Sequence, residues 1–103
     1  MRIIATPTQL KKIQADVYRR DFGICQLCQF PVNPNGAWKG PSYHHIIPRS
    51  RVRIDHIDNF VLLHWDCHDI MHRCCRPMSV DDLIEAKREQ LGEFYDYRKI
   101  AGV

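Results

Sequence analysis

The sequence predicts an α+β fold: one small domain with a ββα centre and a helix at each end. Three observations predict it. Helical periodicity with cap signals marks the two ends, two short β-prone runs lie mid-chain, and a stretch rich in proline and glycine precedes the first run. A chain of 103 residues has room for one core and buries only about two-thirds of its unfolded surface, so extra staples help it fold. The expected layout is a single domain over 1–103, with an N-terminal helix over about 7–22, a central core over about 25–76 and a C-terminal helix over about 79–97.

The first helix has a marked start. Thr6 can cap, Pro7 suits the first helical position, and Gln9 completes a capping box. Leu10, Ile13, Val17 and Tyr18 follow at helical spacing, and Gly23 ends the run. "CQLC" then forms a tight turn, and "FPVNPNGAWKGPS" is a loop or hairpin tip. "YHHII" is a short strand that Pro48 stops. "NFVLLH" is a second strand, or a strand running into a helix. Asp66 caps a helix carrying "CHDIMHRCC", which Pro77 ends. Ser79 caps the last helix, on which Leu83, Ile84, Lys87, Leu91 and Phe94 make an amphipathic pattern.

Fifteen Lys and Arg stand against 12 Asp and Glu, a net charge of +3. That permits a polyanionic partner without demanding one. The distribution says more: Arg49, Arg51 and Arg53 sit among the histidines, and Arg73 and Arg76 follow them. No apolar run reaches membrane-spanning length, and the patch from Ile3 to Ala5 is too short for a signal-peptide core. The reading is a cytoplasmic protein, away from membranes, whose cysteines stay reduced. Five cysteines are then better explained by metal than by disulfides.

Cys25 and Cys28 form a C-x2-C knuckle, and His64 and Cys67 form an H-x2-C pair. Together they offer the four ligands of a closed tetrahedral zinc site, the structural kind. Zinc would clip together the two ends of the intervening insert and supply folding energy. Cys74 and Cys75 are spare, and adjacent cysteines close one tetrahedral site poorly; they read as packed or surface thiols.

All six histidines lie between Tyr43 and His72. His68 and His72 are four apart on an expected helix, about 6 Å apart at Cβ, which suits two ligands to one ion. His44 and His45 are neighbours on an expected strand, so their side chains leave opposite faces. One of them can join the helix pair at a metal while the other works nearby, if the strand end twists enough for both to reach one groove. Three protein ligands leave coordination positions open, the mark of a catalytic ion. Each histidine taken singly is an ordinary solvated imidazole; the joint spacing carries the reading. His56 falls in a solvated loop.

"HHIIPRS", then Asn59, then "LLHWDCHDIMH" resembles the HNH endonuclease motif, the ββα-metal nuclease site. The C-x2-C and "LLHWDCH" frame is similar to zinc-containing members from group II introns, phages and restriction systems. The paired histidines and His68-x3-His72 are similar to the colicin DNase branch. The resemblance covers residues 25 to 72. It implies that His45 is the general base, that His44, His68 and His72 hold a catalytic metal, and that Asn59 orients the base or its loop. Many members carry two glycines after the "PRS" element, where this chain has the basic "RVRIDHIDN".

The expected activity is metal-dependent hydrolysis of DNA phosphodiester bonds, by nicking or double-strand cleavage, giving 5′-phosphate and 3′-hydroxyl ends. Neutral His45 would take the water's proton, and the amide of Asn59 would hold that ring. One structural Zn2+ and one catalytic divalent ion are implied, the latter Mn2+, Mg2+, Ni2+ or Co2+. Imidazole ligands favour the transition metals. Arg49, Arg51 and Arg53 would contact the DNA backbone, steepening salt dependence without reading sequence. No base-reading helix is identifiable, so weak specificity is expected, from a monomer or weak dimer. A phage or mobile-element setting follows from the resemblance only. The competing reading is a zinc-containing nucleic-acid-binding module without catalysis; a toxin nuclease is a narrower third.

Overall fold

The computed structural model describes residues 2–35, 40–65, 67 and 79–100, with backbone only for 97–100. Helix α1 spans Pro7–Arg20, and its start is the expected capping box: Thr6 Oγ1 accepts from the Gln9 N–H, and Gln9 Oε1 accepts from the Thr6 N–H. Val17 from this helix is fully buried, and Leu10, Ile13 and Tyr18 pack against the core.

Strands β1 (Pro41–His45) and β2 (Phe60–His64) form an antiparallel pair in which His45 faces Phe60 and His44 faces Val61. Four of the five β2 residues are buried, because α1 packs on the pair and side chains seal its open edge. Arg20 donates to the carbonyls of Ile57 and Phe60, each at 2.6 Å, and Gln90 donates to Phe60 O at 2.8 Å. Asp21 accepts from the Leu62 N–H at 2.9 Å and pairs with Arg20. These contacts satisfy strand-edge groups that would otherwise template pairing with another chain.

The end of α1 turns into the first cysteine pair through left-handed backbone at Phe22 (φ 56°) and Gly23 (φ 63°). A Cβ on Gly23 would lie 2.9 Å from the Tyr18 hydroxyl, which itself donates to Val32 O at 2.7 Å across the knuckle. Gly23→Ala therefore meets both positive φ and a steric clash. We expect it to lower stability by about 2 kcal/mol or more, read as a fall in the urea midpoint at unchanged slope.

The single C-terminal helix expected over about 79–97 is broken. Ser79 caps α2 (Val80–Ala86) as anticipated, but Lys87 and Gly92 interrupt the chain, giving α3 (Arg88–Leu91) and α4 (Glu93–Ile100). Gly92 takes φ 55°, outside the helical region, so the helix stops there. Leu83, Ile84, Leu91, Phe94 and Tyr95 still reach the common core. Apart from Cys67, the segment "CHDIMHRCC" expected to form a helix lies outside the described residues, as do Asp66, Arg76 and Pro77. Among the described residues no helix is long and apolar enough to cross a membrane.

Candidate metal centre and groove

Cys25, Cys28, His64 and Cys67 converge: their ligand atoms all lie within 4.8 Å of one another. Ligands about 2.3 Å from a tetrahedral zinc sit about 3.7 Å apart, so a small inward adjustment closes the site. The local backbone explains the convergence. Gln29 N–H donates to Cys25 O, Cys25 N–H donates to Phe30 O, and Gln29 takes φ 68°, which curls the knuckle so that both thiols face inward. The Gln26 N–H donates to Leu62 O at 2.9 Å, docking the knuckle on β2, whose last residue is His64.

The donor set fits zinc on the details of His64. Its Nε2 donates to Pro31 O at 2.9 Å, which leaves Nδ1, 3.2 Å from Cys28 Sγ, as the ligand atom. An outer hydrogen bond of this kind fixes the tautomer of a metal-binding imidazole. The thiols report the same crowding. Burial works to raise Cys25, but N–H groups of Cys28, His64 and Leu27 aimed at its sulfur outweigh that and bring it to about 7. Burial, then the neighbouring Cys25 and Cys28, push Cys67 up to about 12. Three thiolates here therefore need a cation to coexist.

His44 and His45 leave opposite faces of β1, yet both line one groove of about 650 Å³, together with Gln14 of α1, Tyr43, Arg49 and Ser50. Both histidines therefore border the same groove. His44 is buried at 3% exposure. His68 and His72, the other two expected ligands of the catalytic ion, lie outside the described residues.

The ring of His45 is held by a residue that the sequence did not single out. Its Nε2 donates to Asp55 Oδ1 at 2.9 Å, and it tilts against Phe60 at 4.4 Å between centroids. Asp55 is itself buried, at 3% exposure. Its Oδ2 accepts from Arg53 Nε at 3.0 Å and from the Ala5 N–H at 3.1 Å. Burial works to raise the Asp55 carboxyl, but His45, the Ala5 N–H and Arg53 outweigh it and hold the group below the usual carboxylate range. Burial lowers His45, Asp55 opposes, and Arg49 and Arg53 add to the lowering; the net direction is down, so the imidazole is neutral at pH 7.

Of the two targets expected for Asn59, the base or its loop, its hydrogen bonds go to the loop and not to the His45 ring. Its amide is fully buried and spans the following loop: Oδ1 accepts from the Ile47 N–H at 2.8 Å, and Nδ2 donates to the carbonyls of Ile54 at 2.9 Å and Ile47 at 3.3 Å. It clasps both ends of the basic loop that replaces the glycine pair. The arginines of that loop separate. Arg49 lines the groove, whereas Arg51 pairs with Asp81 at 3.0 Å and Arg53 with Asp55. His56 is no idle loop residue: its Nδ1 accepts from the Asp58 N–H, and its ring packs on Phe94. The signal for Asp55 was thin. The sequence shows only one of two acidic residues in a loop, and no spacing rule connects it to His45.

A two-stranded sheet, a Cys3His knuckle and a paired-histidine groove define a compact α+β metal-binding domain of the ββα kind. Residues 25–73, just under half of the chain, match the model of the family described as HNH endonuclease, and every candidate site residue lies in that stretch, which makes it similar to a nuclease family. No curated protein and no solved structure matches the chain.

Proposed function

We propose that this protein is a divalent-metal-dependent DNA endonuclease that hydrolyses phosphodiester bonds with weak sequence specificity, as a monomer or weak dimer. The observation that carries the reading is the neutral imidazole of His45, pinned by one ring nitrogen on the wall of a groove that also holds His44 and Arg49. With Nε2 donating to a carboxylate, Nδ1 is the nitrogen left to take a proton from an attacking water. Arg49 binds a phosphate of the strand in the groove. Asn59 acts through the loop rather than the ring, keeping Ile47 to Ile54 in register so that Arg49 and His45 stay on the same wall. Arg51 and Arg53, already paired with carboxylates, contribute less to DNA affinity.

His44, with His68 and His72, would hold the catalytic ion. Bound there, a divalent cation offsets charge on the phosphate and favours departure of the 3′ oxygen. An imidazole set prefers Mn2+, Ni2+ or Co2+ to Mg2+. The products are 5′-phosphate and 3′-hydroxyl ends.

The test is supercoiled plasmid incubated with zinc-loaded protein and Mn2+, Mg2+, Ni2+ or Co2+ in turn. Nicked or linear product is expected, with Mn2+ or Ni2+ at least as effective as Mg2+. DNA binding without cleavage under all four ions would overturn the reading and leave a zinc-containing nucleic-acid-binding module.

A further inference from the structure

We propose that Asp55 is a positioning residue that fixes the working tautomer of His45, and that the chain's first residues hold Asp55 in place to do so. This rests on the endonuclease reading for its catalytic consequence, though not for its structural content.

The two oxygens of Asp55 have different duties. Among the described residues, Oδ2 faces the donors Nε and Nη2 of Arg53, both at 3.0 Å, and the Ala5 N–H at 3.1 Å, and Oδ1 faces the His45 ring, at 2.9 Å. A carboxylate has no hydrogen to give, so His45 must carry its proton on Nε2. The N-terminal segment supplies more than the Ala5 N–H. Ile3 bridges Ile54, donating to Arg53 O at 3.0 Å and accepting from the Asp55 N–H at 2.7 Å. The loop that bears Asp55 is thus bracketed by Ile3 and Ala5 on one side and by Asn59 on the other. The triad template shows the size of such an effect: an amide in place of the orienting carboxylate selects the wrong tautomer and costs about 10⁴ in rate.

The arrangement makes an unusual ordering of variants. In Asp55→Asn, three donor contacts claim the amide oxygen at the Oδ2 position. The NH2 group then points at His45 Nε2 and donates to it, which drives the ring proton onto Nδ1 and occupies the basic site. In Asp55→Ala, neither tautomer is selected. A residue with a merely structural role would show the reverse order, because asparagine keeps the volume and several hydrogen bonds while alanine leaves a cavity.

The experiment measures ring nitrogen shifts by 15N NMR on zinc-loaded wild type, Asp55→Asn and Asp55→Ala, with His45→Ala to assign the signal. It then measures kcat and KM on a DNA duplex under Mn2+. The expected result is Nε2–H in the wild type, Nδ1–H in Asp55→Asn and a mixture in Asp55→Ala. kcat should fall about 100-fold or more in Asp55→Asn and less in Asp55→Ala, with KM little changed, even though alanine lowers the melting temperature more. Wild-type His45 protonated on Nδ1, or Asp55→Asn cleaving at least as well as Asp55→Ala, would overturn the proposal. If even the wild type fails to cleave, the endonuclease reading falls, and the ring spectra still decide the tautomer.

Discussion

Stripping zinc from the Cys25, Cys28, His64 and Cys67 cluster is expected to unfold the domain, not merely to reduce its activity. Cys25 is fully buried within the same core as Val17, Leu62 and Leu63, so the site is part of the interior rather than an attachment to it. Structural zinc in small domains contributes roughly 10–16 kcal/mol of apparent binding free energy, against a total stability of about 5–15 kcal/mol for a typical domain. Loss of the ion also leaves three thiols and an imidazole packed within 4.8 Å. Cys67, pushed up to about 12 without a cation, must then take back its proton. The measurement is far-UV circular dichroism during titration with a strong chelator, beside a colorimetric count of zinc released. Ellipticity and zinc should be lost together and return together when zinc is restored. Cys67→Ser should shift the transition to far lower chelator concentration. A chelator-treated protein that kept its thermal midpoint would show that the cluster is not a folding element.

Much of this architecture was legible because it depends on local rules. The Thr6 and Gln9 capping box, the Ser79 cap and the two strands each have a short signature that the surrounding structure does not override. The cysteine pairs were legible for a different reason: ligand chemistry restricts spacing, so C-x2-C and H-x2-C predict convergence across a long insert. What stayed hidden consists of single side chains acting at long range. Arg20 and Asp21 seal the edge of β2 from about forty residues away, and Asp55 reaches back to the Ala5 N–H. No periodicity encodes such contacts. Whether Asn59 served the base or its loop was not legible, because sequence order says nothing about direction. The side chain is buried, and its amide is used by Ile47 and Ile54. The unbroken last helix failed for a local reason, since Gly92 in positive φ can stop a helix whose apolar spacing continues past it.

His45→Ala is expected to remove DNA cleavage while leaving the protein folded and zinc-loaded. General acid–base groups contribute roughly 10²–10⁴ in rate, so nicking should fall to that fraction of the wild-type value or below detection. The side chain is 15% exposed; its removal loses the Phe60 contact and leaves Asp55 Oδ1 without the ring, a cost of about 1–3 kcal/mol that does not touch the zinc ligands. Two companion variants separate chemistry from architecture. His64→Ala should lose zinc and unfold, because it takes a ligand and the Pro31 contact together. Asn59→Ala should lower stability by about 2–4 kcal/mol, since the Ile47 N–H and Ile54 carbonyl are left buried without their amide partner. Its cleavage should fall too, but in step with loop order rather than with the base. Plasmid cleavage, bound zinc and urea midpoint measured on all three therefore form a pattern that only one assignment fits. His45→Ala alone should pair full zinc and a modestly lowered midpoint with absent cleavage, out of proportion to its loss of stability. Wild-type cleavage in His45→Ala would move the base to another group in the groove.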